Sequence, residues 1–341
     1  MKRKVKPCLA ITMGDPAGVG PEICLRALSS KVVNDFCIPI VFGDISVLEK
    51  VGSLTNLKCG FEVISLERFL EVSDFNNPLV VDFSNIKMSS LEPGKISAIT
   101  GKASFDYIKT AIELAQKEMV QGIVTAPINK YALKLAGIDF QGHTEILMEY
   151  TNSEDVCMLL TSRELSCSLV TTHIGLSQVS SKLCSNKIYK IIALTEKAIR
   201  SIYFEDSRNL KLGVLGLNPH GGENGLFGSG EEERIIKPAI EKARKAGIDV
   251  VGPLAPDTAF IESNRKYIDA YVCMYHDQGL IPLKMLAFDS AVNMTLGLPI
   301  IRTSVDHGTA LDIAWKGIAS PLSLIKAIEL ASKMANIRLI S

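Results

Sequence analysis

The chain has no net charge to offer a partner: 37 Lys and Arg balance 37 Asp and Glu across 341 residues. That balance argues against the basic field by which nucleic acids and anionic membrane surfaces are bound. Eight cysteines are present (Cys8, Cys24, Cys37, Cys59, Cys157, Cys167, Cys184, Cys273), but no Cys-x-x-Cys pair. A zinc ribbon and a dithiol redox motif are thereby excluded, and thiols set in or beside apolar runs suit a reduced cytoplasmic protein. No apolar run approaches the roughly 18 residues of a bilayer span. The basic start resembles the opening of a secretory signal, but the apolar stretch at 8–13 stops at Gly14-Asp15-Pro16 and is too short for its core. Repeats, low-complexity tracts and linkers are missing, so domain boundaries are poorly marked. The Gly-x-Gly-x-x-Gly fingerprint is also incomplete: after Gly18-Val19-Gly20 the third glycine position holds Ile23, which argues against a Rossmann cofactor site.

What the chain has instead is alternation. Hydrophobic residues make up 47% and charged residues 22%, ordinary for a globular protein, and the length exceeds one typical core, so two domains are expected. Short β-rich runs at 8–13, 38–42, 79–83 and 122–125, bounded by Gly, Pro or Asp, predict buried strands. Within 104–120, Phe105, Ile108, Ala111, Ile112 and Ala115 recur at helical spacing and predict an amphipathic helix. Strands follow at 156–160 and 168–172, close enough for a hairpin, then at 210–217, 249–251, 270–274 and 291–296. Helices are predicted over 187–203 and 231–245, near 309–315, and over 322–335. This pattern belongs to the α/β class, with a mostly parallel sheet covered by helices on both faces. One domain is expected to combine 1–128 with 305–341, and the other to comprise 129–304.

All five histidines sit in polar or glycine-rich phrases. Three of them, His173, His220 and His276, each follow an apolar strand (SLVTTH, LGVLGLNPH, AYVCMYH). If those strands are neighbours, their carboxyl ends gather the imidazoles around one crevice, where open α/β sheets bind ligands. Three protein ligands with an open position is the pattern of a catalytic zinc-type site; taken singly, each reads rather as a loop histidine bonded to backbone, and it is the three together that point to metal. Gly142-His143-Thr144-Glu145 precedes a helix at 145–150, making Thr144 a candidate N-cap at a place suited to an anion. Glu231-Glu232-Glu233 opens another helix, repels anions there and reads as positional. Lys284, Asn293 and Arg302 stand among apolar residues; the two cations need a bound phosphate or carboxylate, or an internal partner such as Asp289 or Asp306.

Seven phrases then fall into order: Gly14-Asp15-Pro16-Ala17-Gly18-Val19-Gly20-Pro21-Glu22, Thr125-Ala126-Pro127-Ile128-Asn129-Lys130, Gly142-His143-Thr144-Glu145, Asn218-Pro219-His220, Gly252-Pro253-Leu254, Tyr275-His276-Asp277-Gln278-Gly279-Leu280 and Arg302-Thr303-Ser304-Val305-Asp306-His307-Gly308-Thr309. From end to end they resemble the 4-hydroxythreonine-4-phosphate dehydrogenase (PdxA) family. The resemblance implies a fold similar to isocitrate and isopropylmalate dehydrogenases: two α/β/α domains with the active-site cleft between them. It implies NAD or NADP binding without the Rossmann fingerprint, through Asp306, His307, Gly308, Thr309 and Asp312. Metal ligation falls to His173, His220 and His276, with zinc first and magnesium or cobalt as alternatives. Substrate contacts fall to His143, Thr144, Lys284, Asn293 and Arg302, and a homodimer with ligands drawn from both chains is implied.

The implied reaction oxidises the C3 hydroxyl of 4-phosphooxy-L-threonine to 2-amino-3-oxo-4-phosphooxybutanoate, which loses CO₂ to give 3-amino-2-oxopropyl phosphate in pyridoxal 5'-phosphate biosynthesis. His143 would orient the substrate, and Lys284 or Asp257 would take the hydroxyl proton. A sister dehydrogenase of 4-phospho-D-threonate or 4-phospho-D-erythronate is the alternative within the family, and a three-histidine zinc hydrolase is the alternative outside it. Two departures from the family pattern stand out. Trp315 occupies a place expected to hold a small residue, and Gly221 replaces the usual alanine after His220.

Overall fold

The computed structural model describes residues 6–72, 74–203, 209–288 and 290–340; the basic start at 1–5 and the candidate ion partner Asp289 lie outside these. The chain forms two units, Met1–Glu154 with Leu298–Ser341, and Asp155–Gly297. In chain order the strands among the described residues are β1 (Cys8–Thr12), β2 (Ile38–Gly43), β3 (Glu62–Ser65), β4 (Leu79–Asp82), β5 (Gly122–Thr125), β6 (Cys157–Thr161), β7 (Ser166–Leu169), β8 (Leu212–Leu215), β9 (Val250–Leu254), β10 (Ala270–Cys273), β11 (Val292–Leu296) and β12 (Arg302–Ser304).

In the first unit the strand order is β3-β4-β2-β1-β5-β12, and every pairing is parallel. Central strands β2 and β5 are buried along their whole length, as parallel strands covered on both faces must be. The helix Ala98–Gln116 packs on β1, β2 and β5. It starts earlier than the apolar pattern predicts because Ser97 caps it, accepting from Thr100 N at 3.2 Å. Gly101 lets the backbone of a second helix, Lys130–Leu135, come close: a Cβ there would lie 2.1 Å from Ala132 O. This packing holds 129–154 in the first unit, so the boundary expected at 128/129 falls at 154/155. The second crossing falls at 297/298 rather than 304/305, because the short strand β12 pairs with β5.

The second unit orders its strands β11-β6-β7-β10-β8-β9. Only β6 runs against its neighbours here, pairing antiparallel with β11 and β7; β7, β10, β8 and β9 are mutually parallel. The β6–β7 hairpin is the predicted one, closed by Ser162 Oγ, which accepts from Glu164 N and Leu165 N at 3.1 Å. Helix Ser185–Ile202 buries Ile188, Ile191, Ile192, Ala198 and Ile199. The helix His276–Ala287 escapes the sequence reading because Gly279 and Pro282 lie within it, and both residues disfavour helix interiors.

One expected helix is not formed. Residues 309–315 make a loop with a single 3₁₀ turn, Leu311–Ile313, because Ala310 (φ 42°) and Trp315 (φ 61°) adopt left-handed backbone. A small residue such as glycine would take that conformation at 315 without cost. Trp315 is buried instead, with Nε1 donating to Pro16 O at 3.1 Å.

Glu22 ties the same region together. Its buried carboxylate accepts from Gly317 N (3.0 Å) and Ala319 N (2.9 Å), and pairs with Arg26 at 3.2 Å. Glu22→Ala leaves both amides without their acceptor, at about 1–3 kcal/mol each. Urea denaturation should therefore show a loss of about 2–5 kcal/mol, and a change below about 0.5 kcal/mol, the usual size for a surface substitution, would refute this role.

Candidate active site

Three parallel strands of the second unit set out the first group of residues. β10 lies between β7 and β8 and pairs with both. Their following segments carry His276, His173 and His220, so the three histidines predicted at strand ends do follow neighbouring strands at one edge of the sheet. The His173 and His276 rings stand 5.8 Å apart between centroids. They border a cavity of about 310 Å³ lined also by Thr172, Leu176, Tyr275 and Asp277. His276 Nδ1 lies 2.7 Å from Asp277 Oδ1. With that carboxylate as acceptor Nδ1 carries the proton and Nε2 keeps its lone pair, the state in which metal-binding imidazoles are held.

His220 is positioned differently. It opens a run of five left-handed residues, His220 to Asn224, and its ring lies 6.0 Å from that of Phe227. Among the described residues no group of three His, Cys, Asp or Glu side chains is placed to hold a metal ion within one chain. The donor chemistry of His173 and His276 fits a divalent cation, but among the described residues no third donor of the same chain joins them.

The remaining second-unit candidates are spread along its elements. Lys284 lies half-buried on helix His276–Ala287, its Nζ 5.8 Å from the Phe288 ring centroid. Asn293 projects from β11, and its Oδ1 is buried without a hydrogen-bond partner among the described residues. Asp257 is exposed in the turn after β9.

The first unit holds the other polar group. Arg302 at the start of β12 is buried, and Nη2 donates to Thr125 Oγ1 at 2.8 Å on the neighbouring strand β5. Burial lowers its pKa to about 9, so it remains cationic at neutral pH. His143 begins helix His143–Thr151; Gly142, not Thr144, is its N-cap, and no side chain caps it. Thr144 sits within the first turn, and Glu145 Oε2 accepts from Gln141 N at 2.6 Å. His143 Nε2 is buried with no hydrogen-bond partner among the described residues. Burial, and then the charge of Arg302, hold its pKa well below the usual histidine value.

The expected cofactor loop is shaped by the segment around Gly18, rejected above only as a Rossmann turn. Thr309 O accepts from Val19 N at 3.0 Å, and a Cβ at Gly18 would lie 2.8 Å from Thr309 O. Asp306 N donates to Ser323 Oγ, while His307 and Asp312 are exposed. Beside them Asp15 is wholly buried: Oδ1 accepts from Ala17 N at 2.9 Å and Oδ2 has no partner among the described residues. Burial raises its pKa, opposed by the hydrogen bond it accepts from the Ala17 amide and by the nearby Thr100 hydroxyl. The failed glycine fingerprint was thus the signal for this loop. Gly18 admits the 309 backbone, while Gly20 lies against Met13 O instead of opening a Rossmann turn.

A family model described as the pyridoxal phosphate biosynthetic protein PdxA matches residues 35–331. Over 342 residues the chain is 44% identical to the 4-hydroxythreonine-4-phosphate dehydrogenase of Desulforapulum autotrophicum, covering 97% of this chain and 96% of that one. It is 42% identical over 334 residues to the D-threonate 4-phosphate dehydrogenase of Cupriavidus necator, covering 97% and 98%. The crystal structure of the 4-hydroxythreonine-4-phosphate dehydrogenase from Klebsiella pneumoniae is similar at a TM-score of 0.86 and 39% identity, over 98% of this chain and 100% of that chain.

The depressed pKa of His143 has a consequence for folding. The unfolded chain takes up a proton near pH 6.5 that the folded chain refuses, so this contribution to stability is complete above that value and is lost as pH falls below it. The loss approaches about 1.4 kcal/mol per pH unit for one proton. Replacing His143 by Gln should flatten the stability–pH curve below 6.5. An unchanged slope in chemical denaturation at stepped pH would contradict the assignment.

Proposed function

The chain belongs to the PdxA family of pyridoxal phosphate biosynthetic proteins, and from that premise we propose that it oxidises the C3 hydroxyl of 4-phosphooxy-L-threonine with NAD or NADP. The product, 2-amino-3-oxo-4-phosphooxybutanoate, carries a ketone β to its carboxylate and loses CO₂ to give 3-amino-2-oxopropyl phosphate. One observation carries the reading: β7, β10 and β8 are parallel neighbours followed by His173, His276 and His220.

Each residue has an assigned task. His143, neutral at working pH, orients the substrate by hydrogen bonding rather than by charge. Arg302 and Lys284 balance the phosphate and carboxylate, while Thr144 and Asn293 supply further polar contacts. Lys284 or Asp257 receives the hydroxyl proton. Asp306, His307, Gly308, Thr309 and Asp312 hold the dinucleotide, which is the hydride acceptor. His173, His220 and His276 hold a divalent ion, zinc first and magnesium or cobalt after it. When bound, such an ion supplies Lewis-acid stabilisation of negative charge on oxygen.

The donor set is proposed to be completed in a homodimer. Helix His276–Ala287 supports this: Ile281, Met285 and the adjoining Phe288 are 60%, 82% and 70% exposed, and their spacing sets them along one side. An apolar stripe of this kind marks an association surface, and it begins one turn beyond a proposed metal ligand. Met285→Asp should convert a dimer to monomer in sedimentation or light scattering and abolish activity. A monomeric wild type, or a dimeric variant, would count against this surface.

A second reading within the family is 4-phospho-D-threonate as substrate, since a relative at 42% identity carries that name. That compound bears a hydroxyl where the amino acid bears an ammonium group, so the group facing C2 decides between them. The test is a panel of 4-phosphooxy-L-threonine, 4-phospho-D-threonate and 4-phospho-D-erythronate with NAD or NADP, with and without chelator. Reduced dinucleotide is followed by absorbance. The main reading requires the first substrate to have the highest kcat/KM. Turnover with none of them, or phosphate release without dinucleotide, would defeat it.

A further inference from the structure

The acidic pair Glu231–Glu232 is directed inward, although acids in the first turn of a helix ordinarily complement its dipole at the surface. Glu231 is 4% exposed and Glu232 1%. Glu232 Oε1 accepts from Leu217 N at 2.9 Å and Asn218 N at 2.7 Å. Glu231 Oε2 accepts from Ser229 N at 2.7 Å and Asn218 Nδ2 at 3.1 Å, and its Oε1 accepts from Ser180 Oγ at 2.5 Å. Ser180 lies in the short helix Val179–Lys182, on the segment that leads on from His173. Asn218 lies two residues before His220.

The run these acids hold is strained. His220, Glu223 and Asn224 have φ of 53°, 40° and 55°, a conformation that costs non-glycine residues about 1–2 kcal/mol each. Such backbone persists where its surroundings over-determine it. There is no slack: a Cβ at Gly222 would lie 2.5 Å from Glu232 Oε2, and one at Gly228 would lie 2.2 Å from Asn218 Nδ2.

We propose that Glu231 is a positioning residue for the proposed metal ligands: bonded to Ser180 on one side and to Asn218 and Ser229 on the other, it fixes the His220 loop against the segment following His173. The inference rests on the three-histidine reading. Glu232 fixes the loop internally; Glu231 alone bridges the two segments. Burial opposes its charge, but the hydrogen bonds from Ser180 and the Ser229 amide win and lower its pKa to about 2. The bridge is therefore ionised throughout the neutral range.

The test is metal affinity in the full-length protein stripped by chelator, titrated with Zn²⁺ against a chromogenic competitor and with Co²⁺ by its visible absorption. Outer partners of metal ligands are typically worth about 10–100-fold in affinity. Glu231→Ala should weaken Zn²⁺ binding at least ~10-fold and alter the Co²⁺ spectrum. Ser180→Ala, an exposed single-bond change expected to fold normally, should weaken binding by a smaller factor, and Glu231→Gln should recover part of the loss. KM for the dinucleotide should stay unchanged in all three. If Glu231→Ala does not fold, Ser180→Ala carries the test. Wild-type binding with equal affinity in the folded variants overturns the proposal alone. Absence of metal binding in the wild type overturns the three-histidine reading and this proposal with it. A loss matched by an equal loss of dinucleotide affinity marks a general structural role and also overturns it.

Discussion

Parallel strands that pair in register release their following segments at the same edge of the sheet, and β7, β10 and β8 are three such strands side by side. Residues distant in sequence thereby acquire a common address without any local motif. The antiparallel β6 sits at the border of this group, so the hairpin turn at Ser162 leaves the opposite edge and stays clear of the histidines. Hydrogen bonding between backbones, not side-chain packing, sets the three histidine-bearing segments after neighbouring strands. The side chains around them refine the result: Asp277 lies 2.7 Å from Nδ1 of His276, and the Glu231–Glu232 pair holds the segment that enters the left-handed run at His220.

The first unit uses a different economy of charge. Arg302 is buried on β12, bonded to Thr125 Oγ1, and stays cationic, whereas burial leaves His143 neutral. The two settle into opposite protonation states from the same desolvation, because their unperturbed pKa values lie far apart. A neutral imidazole, its buried Nε2 without a hydrogen-bond partner among the described residues, thus stands beside a cation. Glu22, by contrast, is spent wholly on structure, capturing the backbone of Gly317 and Ala319.

Where sequence succeeded, it did so through periodicity. The strands at 122–125 and 291–296 and the helix at 187–203 were legible because each carries an uninterrupted pattern that its environment also wants. Strand β12 was hidden because three residues give no period, and its absence misplaced the second domain crossing. The helix beginning at His276 was hidden by Gly279 and Pro282, which tertiary packing tolerates. The helix expected at 309–315 failed because composition does not reveal left-handed backbone at Ala310 and Trp315. The candidate site residues were visible as chemistry in the wrong company: histidines beside glycine, a cation in an apolar run. What no local pattern could disclose was their contacts, such as Glu231 reaching Ser180 across 51 residues.

Trp315 is the only tryptophan in the chain, and it is buried in the first unit with its indole N–H engaged by Pro16 O. Intrinsic emission is therefore a one-sided reporter. Emission excited selectively in the indole follows the Leu298–Ser341 segment and its surroundings, while the unit that carries His173, His220 and His276 stays optically dark. Where the two units melt separately, emission and far-ultraviolet dichroism will trace different curves.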